Sequence, residues 1–214
     1  MSKVLILGST GLVGKHVLQE VVKSDRFSSV TALVREKQFH SEGKVKEIVF
    51  DFKNQLLLES LQPVHHVFCC LGTTIKKAGS KKNFRFVDYD LPLRFAKWAE
   101  QTKAESFSII TSMGADAMSN FFYNKVKGEI EDEIIKLNIP TIKIFRPSLI
   151  MGKRDELRIG ELIGKTIFFF VNPIMIGSAK KYKGIKAKMI AKGMIYHLNK
   201  NQKGLTIINS DEIY

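Results

Sequence analysis

The sequence predicts an α/β fold: a Rossmann-like, doubly wound, mainly parallel sheet of about seven strands in a single domain. Three observations carry this. Short apolar runs alternate with longer amphipathic stretches from the first residues onward. The runs VLIL, HVFCCL and FSII are continuously apolar, as expected of parallel strands covered on both faces. A glycine-rich turn follows the first of them directly.

In chain order, VLIL predicts a strand over Val4 to Leu7, and the amphipathic stretch after the glycines predicts a helix over Leu12 to Lys23. Strands are expected next at Val30 to Val34, Glu47 to Phe50 and His66 to Leu71, followed by a long helix over Asn83 to Gln101. A fifth strand over Phe107 to Thr111 leads to a helix over Asn120 to Leu137, and a sixth covers Thr141 to Phe145. A helix near Arg158 to Phe169, another over Gly184 to Leu198 and a last strand over Leu205 to Asn209 complete the set. Residues 1–214 are read as one domain, without internal repeat or linker. The least regular segment, residues 151–183, is expected to shape a substrate pocket.

The composition, 44% hydrophobic and 26% charged, suffices for one sizeable core. Cys69 and Cys70 are adjacent, and neighbours on a strand face opposite ways, so they are poor disulfide partners. That predicts a reducing, cytoplasmic setting. The longest apolar tract, Thr166 to Ile176, is interrupted by Asn172 and Pro173 and falls short of the about 20 residues that span a bilayer, so no transmembrane segment is expected. The net charge of +13 predicts a field that draws phosphates or acidic partners. Its lysines cluster at Lys76, Lys77, Lys81 and Lys82 and at Lys180, Lys181, Lys183, Lys186 and Lys188; they are read as solvated faces, with peripheral contact to an anionic surface as the alternative. No element interleaves aromatic with basic residues, so no nucleic acid is expected. His16, His40, His65, His66 and His197 lack metal-ligand spacing, and no metal is expected. GELIGKTI is not a phosphate loop, because position 159 holds Ile159 where that motif needs glycine.

The turn GSTGLVG places Gly8, Ser9, Thr10, Gly11, Leu12, Val13 and Gly14 between the first strand and the first helix. A tight turn, a close approach of pyrophosphate to backbone and close packing of helix on strand each need a residue without a side chain; the helix N-terminus adds free N–H groups and a positive dipole end. These seven residues are therefore a dinucleotide site. The acidic residue that favours NAD at the end of the second strand is replaced in TALVREK by Arg35, with Lys37 nearby. A guanidinium grips a 2′-phosphate with paired hydrogen bonds, so NADP(H) is expected over NAD(H). Asp51 and Phe52 are expected to flank the adenine. Leu71, Gly72 and Thr73 are expected to pass under phosphates and ribose, with Cys69 and Cys70 as strand core.

Tyr123 and Lys127 lie four apart, but so do Tyr182 with Lys186 and Tyr196 with Lys200. Context separates them. Only the first pair follows a strand ending in hydroxyls, SIITSMGAD, which delivers Thr111 and Ser112 to the carboxyl edge where open parallel sheets bind ligands. An ammonium one helical turn from a phenol, together with a cationic nicotinamide, favours the phenolate. Ser112, Tyr123 and Lys127 are thus the candidate catalytic set: Tyr123 exchanges a proton with substrate oxygen, Lys127 holds ribose hydroxyls and Ser112 donates to the developing oxyanion.

STGLVG, CLGTTIKKAG, FRFVDYDL, TSMGAD, FFYNKVKGEIE and FRPSLIMG together resemble the atypical short-chain dehydrogenase/reductase superfamily, closest to the Tat-interacting-protein-type oxidoreductases and their bacterial relatives. The similarity runs over nearly the whole chain and is densest from Cys70 to Gly152. It implies a Rossmann-like fold, NADPH binding, a Ser, Tyr, Lys set at Ser112, Tyr123 and Lys127, and a nicotinamide end lined by the backbone of Arg146, Pro147, Ser148 and Ile150. The better-studied branches of the family usually keep an asparagine in the fourth helix; here FVDYD puts Asp88 or Asp90 roughly there, so the resemblance does not carry over a proton relay through that helix. Two functions follow as expectations. One is an NADPH-dependent oxidoreductase that moves hydride to or from a small-molecule carbonyl or alcohol. The alternative is a catalytically silent NADP(H)-binding module that senses redox state and acts through a protein partner.

Overall fold

A computed structural model describes residues 1–37, 43–152, 183–200 and 202–213. Seven parallel strands form one sheet in the order β3-β2-β1-β4-β5-β6-β9. They are β1 (Ser2–Leu7), β2 (Phe27–Val34), β3 (Val45–Val49), β4 (His66–Cys69), β5 (Ser106–Ile110), β6 (Thr141–Arg146) and β9 (Gly204–Asn209). A separate pair, β7 (Ile150–Met151) with β8 (Ile185–Lys186), is also parallel. This is the Rossmann-like α/β architecture expected, and each of the seven expected strands is present with ends moved by a few residues.

The chain runs outward from β1 to β3 and then crosses back to β4, so the order reverses between β1 and β4. Such a reversal opens a crevice at the carboxyl ends of the strands. Because side chains alternate along a strand, Val4 and Ile6 face one side while Leu5 and Leu7 face the other. The first side is covered by α1 (Gly14–Lys23), through Val17, Leu18 and Val21, and by α6 (Ala187–Asn199), through Ile190, Ala191, Met194 and Leu198. The second is covered by Phe95, Ala96, Trp98 and Ala99 of α4 (Leu91–Gln101) and by Ile130 and Ile134 of α5 (Phe122–Ile134).

The single helix expected over Asn83 to Gln101 is instead three joined pieces. These are α3 (Lys81–Arg85), a π-helical turn over Phe86–Asp90 and α4, and a separate short helix, α2 (Ile75–Ala78), precedes them. Pro92 has no N–H for the carbonyl four residues earlier, and the Leu91 N–H reaches back five residues to the Phe86 carbonyl. The helix expected near Arg158 to Phe169 and most of segment 151–183 lie outside the described residues. Among the described residues no helix is long and apolar enough to cross a membrane, and no group of His, Cys, Asp or Glu is arranged to hold a metal.

His66 is buried in β4, with Nδ1 2.9 Å from Ser106 Oγ. Burial, opposed by the Glu105 carboxylate 3.9 Å from Nε2 and aided by Arg26 and His65, pushes the imidazole down from 6.5 to about 4. Between those values the unfolded chain binds the proton and the folded chain does not, so stability is full above about 6.5 and falls as the pH drops toward 4. The denaturant midpoint is expected to fall between pH 7 and pH 5 by the equivalent of at most about 2 kcal/mol. His66→Asn is expected to flatten that slope; an equal slope in parent and variant assigns acid sensitivity to other groups.

Candidate active site

The glycine turn is dictated by contact distances. Gly8 adopts φ +75°, and a Cβ there would stand 2.8 Å from the Cys70 carbonyl oxygen. At Gly14, the first residue of α1, a Cβ would stand 2.0 Å from the Gly8 oxygen, so any side chain would push helix and turn apart. The Gly11 N–H donates to the Gly8 carbonyl at 2.9 Å and closes the turn. Ser9 is fully buried, and its hydroxyl has no hydrogen-bond partner among the described residues. A buried hydroxyl in a cradle that excludes side chains fits a nucleotide phosphate laid on the backbone. Thr10 and Gly11 are exposed, Leu12 is half-buried and Val13 is buried.

The loop after β5 carries Ser112 and is fixed to the helix that carries Tyr123 and Lys127. The Asp116 N–H donates to the Asn124 carbonyl at 3.1 Å. Gly128 sits against the same loop: a Cβ there would lie 2.1 Å from the Ala117 nitrogen and 2.2 Å from the Asp116 carbonyl carbon. The Ser112 hydroxyl is buried and, like that of Ser9, has no partner among the described residues. Tyr123 is 37% exposed, with its ring 5.6 Å from that of Phe84.

Lys127 is only 4% exposed. Its Nζ lies 2.7 Å from Asp88 Oδ1, and Asp88, 1% exposed, also accepts the Thr73 N–H on Oδ2 at 2.9 Å. Burial alone pushes the ammonium down; the charge of Asp88, the field of Tyr123 and the hydrogen bond to Asp88 outweigh it, and the net shift is upward. One turn further along α5, buried Glu131 accepts from the Thr111 hydroxyl at 2.5 Å and pairs with the Arg146 guanidinium, whose Nε lies 3.0 Å away. The hydrogen bond to Glu131 raises the Arg146 pKa.

The expected cofactor residues divide into several groups. Leu71, Gly72 and Thr73 follow β4 beside the glycine turn, where the Cys70 N–H donates to the Leu7 carbonyl at 2.9 Å. Thr111 follows β5, Arg146 ends β6, Pro147 and Ser148 follow it and Ile150 opens β7; the loops after β5 and β6 are joined by the Met113 N–H bond to the Pro147 carbonyl at 2.9 Å. The side chains of Thr111 and Arg146 are committed to Glu131, and that of Ser148 to the Lys183 carbonyl and to Ser210. These positions offer a ligand their backbone. Arg35 stands exposed beyond β2 and makes no ion pair among the described residues. Asp51 is exposed and caps the Lys53 N–H, whereas Phe52 packs on Phe50 and Phe95, 5.2 and 6.1 Å away, with its carbonyl held by Arg94.

The rival pairs fare differently. Tyr196 is exposed, with the Lys200 ammonium 4.6 Å from its ring centre, a surface contact. Tyr182 lies outside the described residues. Cys69 and Cys70 are held as thiols by burial, Cys69 pushed up to about 12. Asp88 rather than Asp90 enters the site; Asp90 is exposed beside Arg94 and Lys97. Glu131 and Gly128 were not foreseen. A glycine inside an amphipathic helix, directly after the lysine, was the available signal of close packing.

The HIM1 family model matches residues 19–175 of this chain. The chain is 37% identical over 172 residues to Protein HTATIP2 of Rattus norvegicus, covering 77% of this chain and 69% of that one. It is 36% identical over 168 residues to "Protein FMP52, mitochondrial" of Candida albicans, covering 76% and 73%. Among solved structures it resembles MoeE5 in complex with UDP-glucose and NAD, at a TM-score of 0.73 and 15% identity over 97% of this chain and 75% of that one. It also resembles WbmH of Bordetella bronchiseptica in complex with NAD+, at 0.71 and 14% over 98% and 76%. These structures share the fold. The fungal relatives named mitochondrial overturn the cytoplasmic expectation. Adjacent cysteines that are poor partners for each other do not identify a compartment.

Gly14→Ala is expected to weaken nicotinamide-dinucleotide binding by at least about tenfold and to lower stability by about 1–3 kcal/mol, the usual cost of overpacking. Fluorescence titration and thermal unfolding read the two effects separately. Parent-like affinity would show that the turn yields without disturbing the site.

Proposed function

The chain belongs to the HIM1 family, and from that premise and the geometry of its strand ends we propose that it is an NADP(H)-dependent oxidoreductase of short-chain dehydrogenase type, acting on a small-molecule carbonyl or alcohol. One observation carries the reading: a buried, charge-held Lys127 one helical turn from a half-open Tyr123, on a helix packed against the loop whose Ser112 hydroxyl no group among the described residues satisfies. A bound nicotinamide supplies or accepts hydride at the substrate carbon. Tyr123 gives its phenolic proton to the carbonyl oxygen during reduction, or takes it from the hydroxyl during oxidation. Ser112 donates a hydrogen bond to the same oxygen as charge develops there. Lys127 keeps an ammonium below the phenol and holds ribose hydroxyls. Gly8 to Gly14, Asp51, Phe52, Leu71, Gly72, Thr73, Thr111 and the Arg146 to Ile150 backbone line the path of the dinucleotide.

Arg35 supports the NADP(H) preference, since an exposed guanidinium without a partner among the described residues is open to a 2′-phosphate. NADPH is expected to bind at least about tenfold tighter than NADH, and Arg35→Ala to remove that ratio by weakening NADPH alone. Equal affinities in the parent would refute the preference.

MoeE5 is complexed with UDP-glucose or UDP-glucuronic acid, so a nucleotide-sugar belongs beside aldehydes, ketones and quinones on a substrate panel. NADPH oxidation against that panel is expected to show turnover, and Tyr123→Phe to lower it about 10²- to 10⁴-fold without changing NADPH affinity. Unchanged turnover removes Tyr123 from the proton-transfer role. Binding without turnover on any member favours the silent redox-sensing module.

A further inference from the structure

Asp88 is a carboxylate buried to 1% exposure within the π-helical turn Phe86–Asp90. Its position comes from the π-helical turn, which directs the carboxylate inward between two parts of the site. One oxygen contacts the Lys127 ammonium at 2.7 Å; the other accepts the Thr73 N–H at 2.9 Å, and Thr73 belongs to the loop leaving β4 at the chain reversal. A neutral group in that place would leave the buried ammonium uncompensated. Resting on the oxidoreductase reading, we infer that Asp88 is a positioning residue: its carboxylate holds Lys127 in place as an ammonium and ties it to the Thr73 loop, so that proton chemistry and dinucleotide binding depend on one buried ion pair.

The groups that face the Lys127 ammonium come from three elements. They are Asp88 from the π-helical turn, Tyr123 from α5 itself and the Cys69 thiol from β4. Glu131, the next carboxylate along α5, is taken up by Arg146 and Thr111 and does not substitute for Asp88. Removal of the carboxylate therefore leaves burial as the dominant influence on Lys127, and the lysine loses its proton at lower pH.

Asp88→Asn tests this, because the amide keeps an oxygen for the Thr73 N–H while it discards the charge. The Lys127 ammonium resonance, assigned by its loss in Lys127→Met, is followed by NMR against pH, together with NADPH affinity across the same range. In D88N the lysine is expected to titrate lower by about one unit or more, and NADPH affinity to fall about tenfold at an alkaline pH where the parent is unaffected. Asp88→Glu is expected to restore part of both. Superimposable lysine titrations and affinities in D88N and parent overturn the inference. If D88N does not fold, D88N/K127M decides: recovery of folding supports the charge role, and equal failure shows that the fold needs this carboxylate for something other than Lys127 and overturns it. Shifted titrations in D88N alongside a parent that turns over no substrate sustain the role of Asp88 while removing the oxidoreductase reading.

Discussion

The closeness of α1 to the turn that follows β1 is the constraint on which the rest of the site depends. Two backbone segments meet at Gly8 and Gly14 with no room for a Cβ, and that contact fixes where the helix N-terminus points relative to the carboxyl ends of β1 and β4. The sheet reverses its order between the same two strands. A crevice, a positive helix end and a backbone free of side chains therefore coincide by packing, before any catalytic residue is considered.

On the other side of the crevice, α5 serves as a spine. It buries a cation and an anion one turn apart, Lys127 and Glu131, and each is matched by groups from other elements. Lys127 takes Asp88, and through it the loop after β4; Glu131 takes Thr111 from the end of β5 and Arg146 from β6. Isolated charges at such depth would destabilise the fold by several kcal/mol each, so the pairs are mutually obligatory. Substitution of one partner by an apolar residue is costly, whereas joint replacement is far less so.

Much of this was legible in the sequence. Continuous apolar runs marked β1, β4 and β5, because burial on both faces leaves no alternation to confuse, the edge strands β3 and β9 followed only from the alternation of short and long segments, and the glycine spacing pointed to the turn after β1. Tyr123 was separable from Tyr196 by the hydroxyl-rich strand end before it, and the structure places Tyr196 on the surface under Lys200. The choice between Asp88 and Asp90 was not legible. A π-helical turn shifts the facing of every later residue, and a 3.6-residue period cannot represent that shift. Glu131 was hidden for a different reason: a buried carboxylate looks like any surface one until its partners from β5 and β6 are known.

The outermost position of β9 has a bearing on biosynthesis. Its partner β6 presents a full row of unpaired amides and carbonyls on one side until residues 204–209 arrive, well after β6 itself has left the ribosome. At about 5–20 residues per second the exposed edge persists for seconds in a nascent chain. Parallel pairing over such a separation is also slow to close. The period between synthesis of β6 and docking of β9 is therefore when this protein most needs protection from edge-to-edge association, and a chaperone that binds extended apolar segments would find its target in that row.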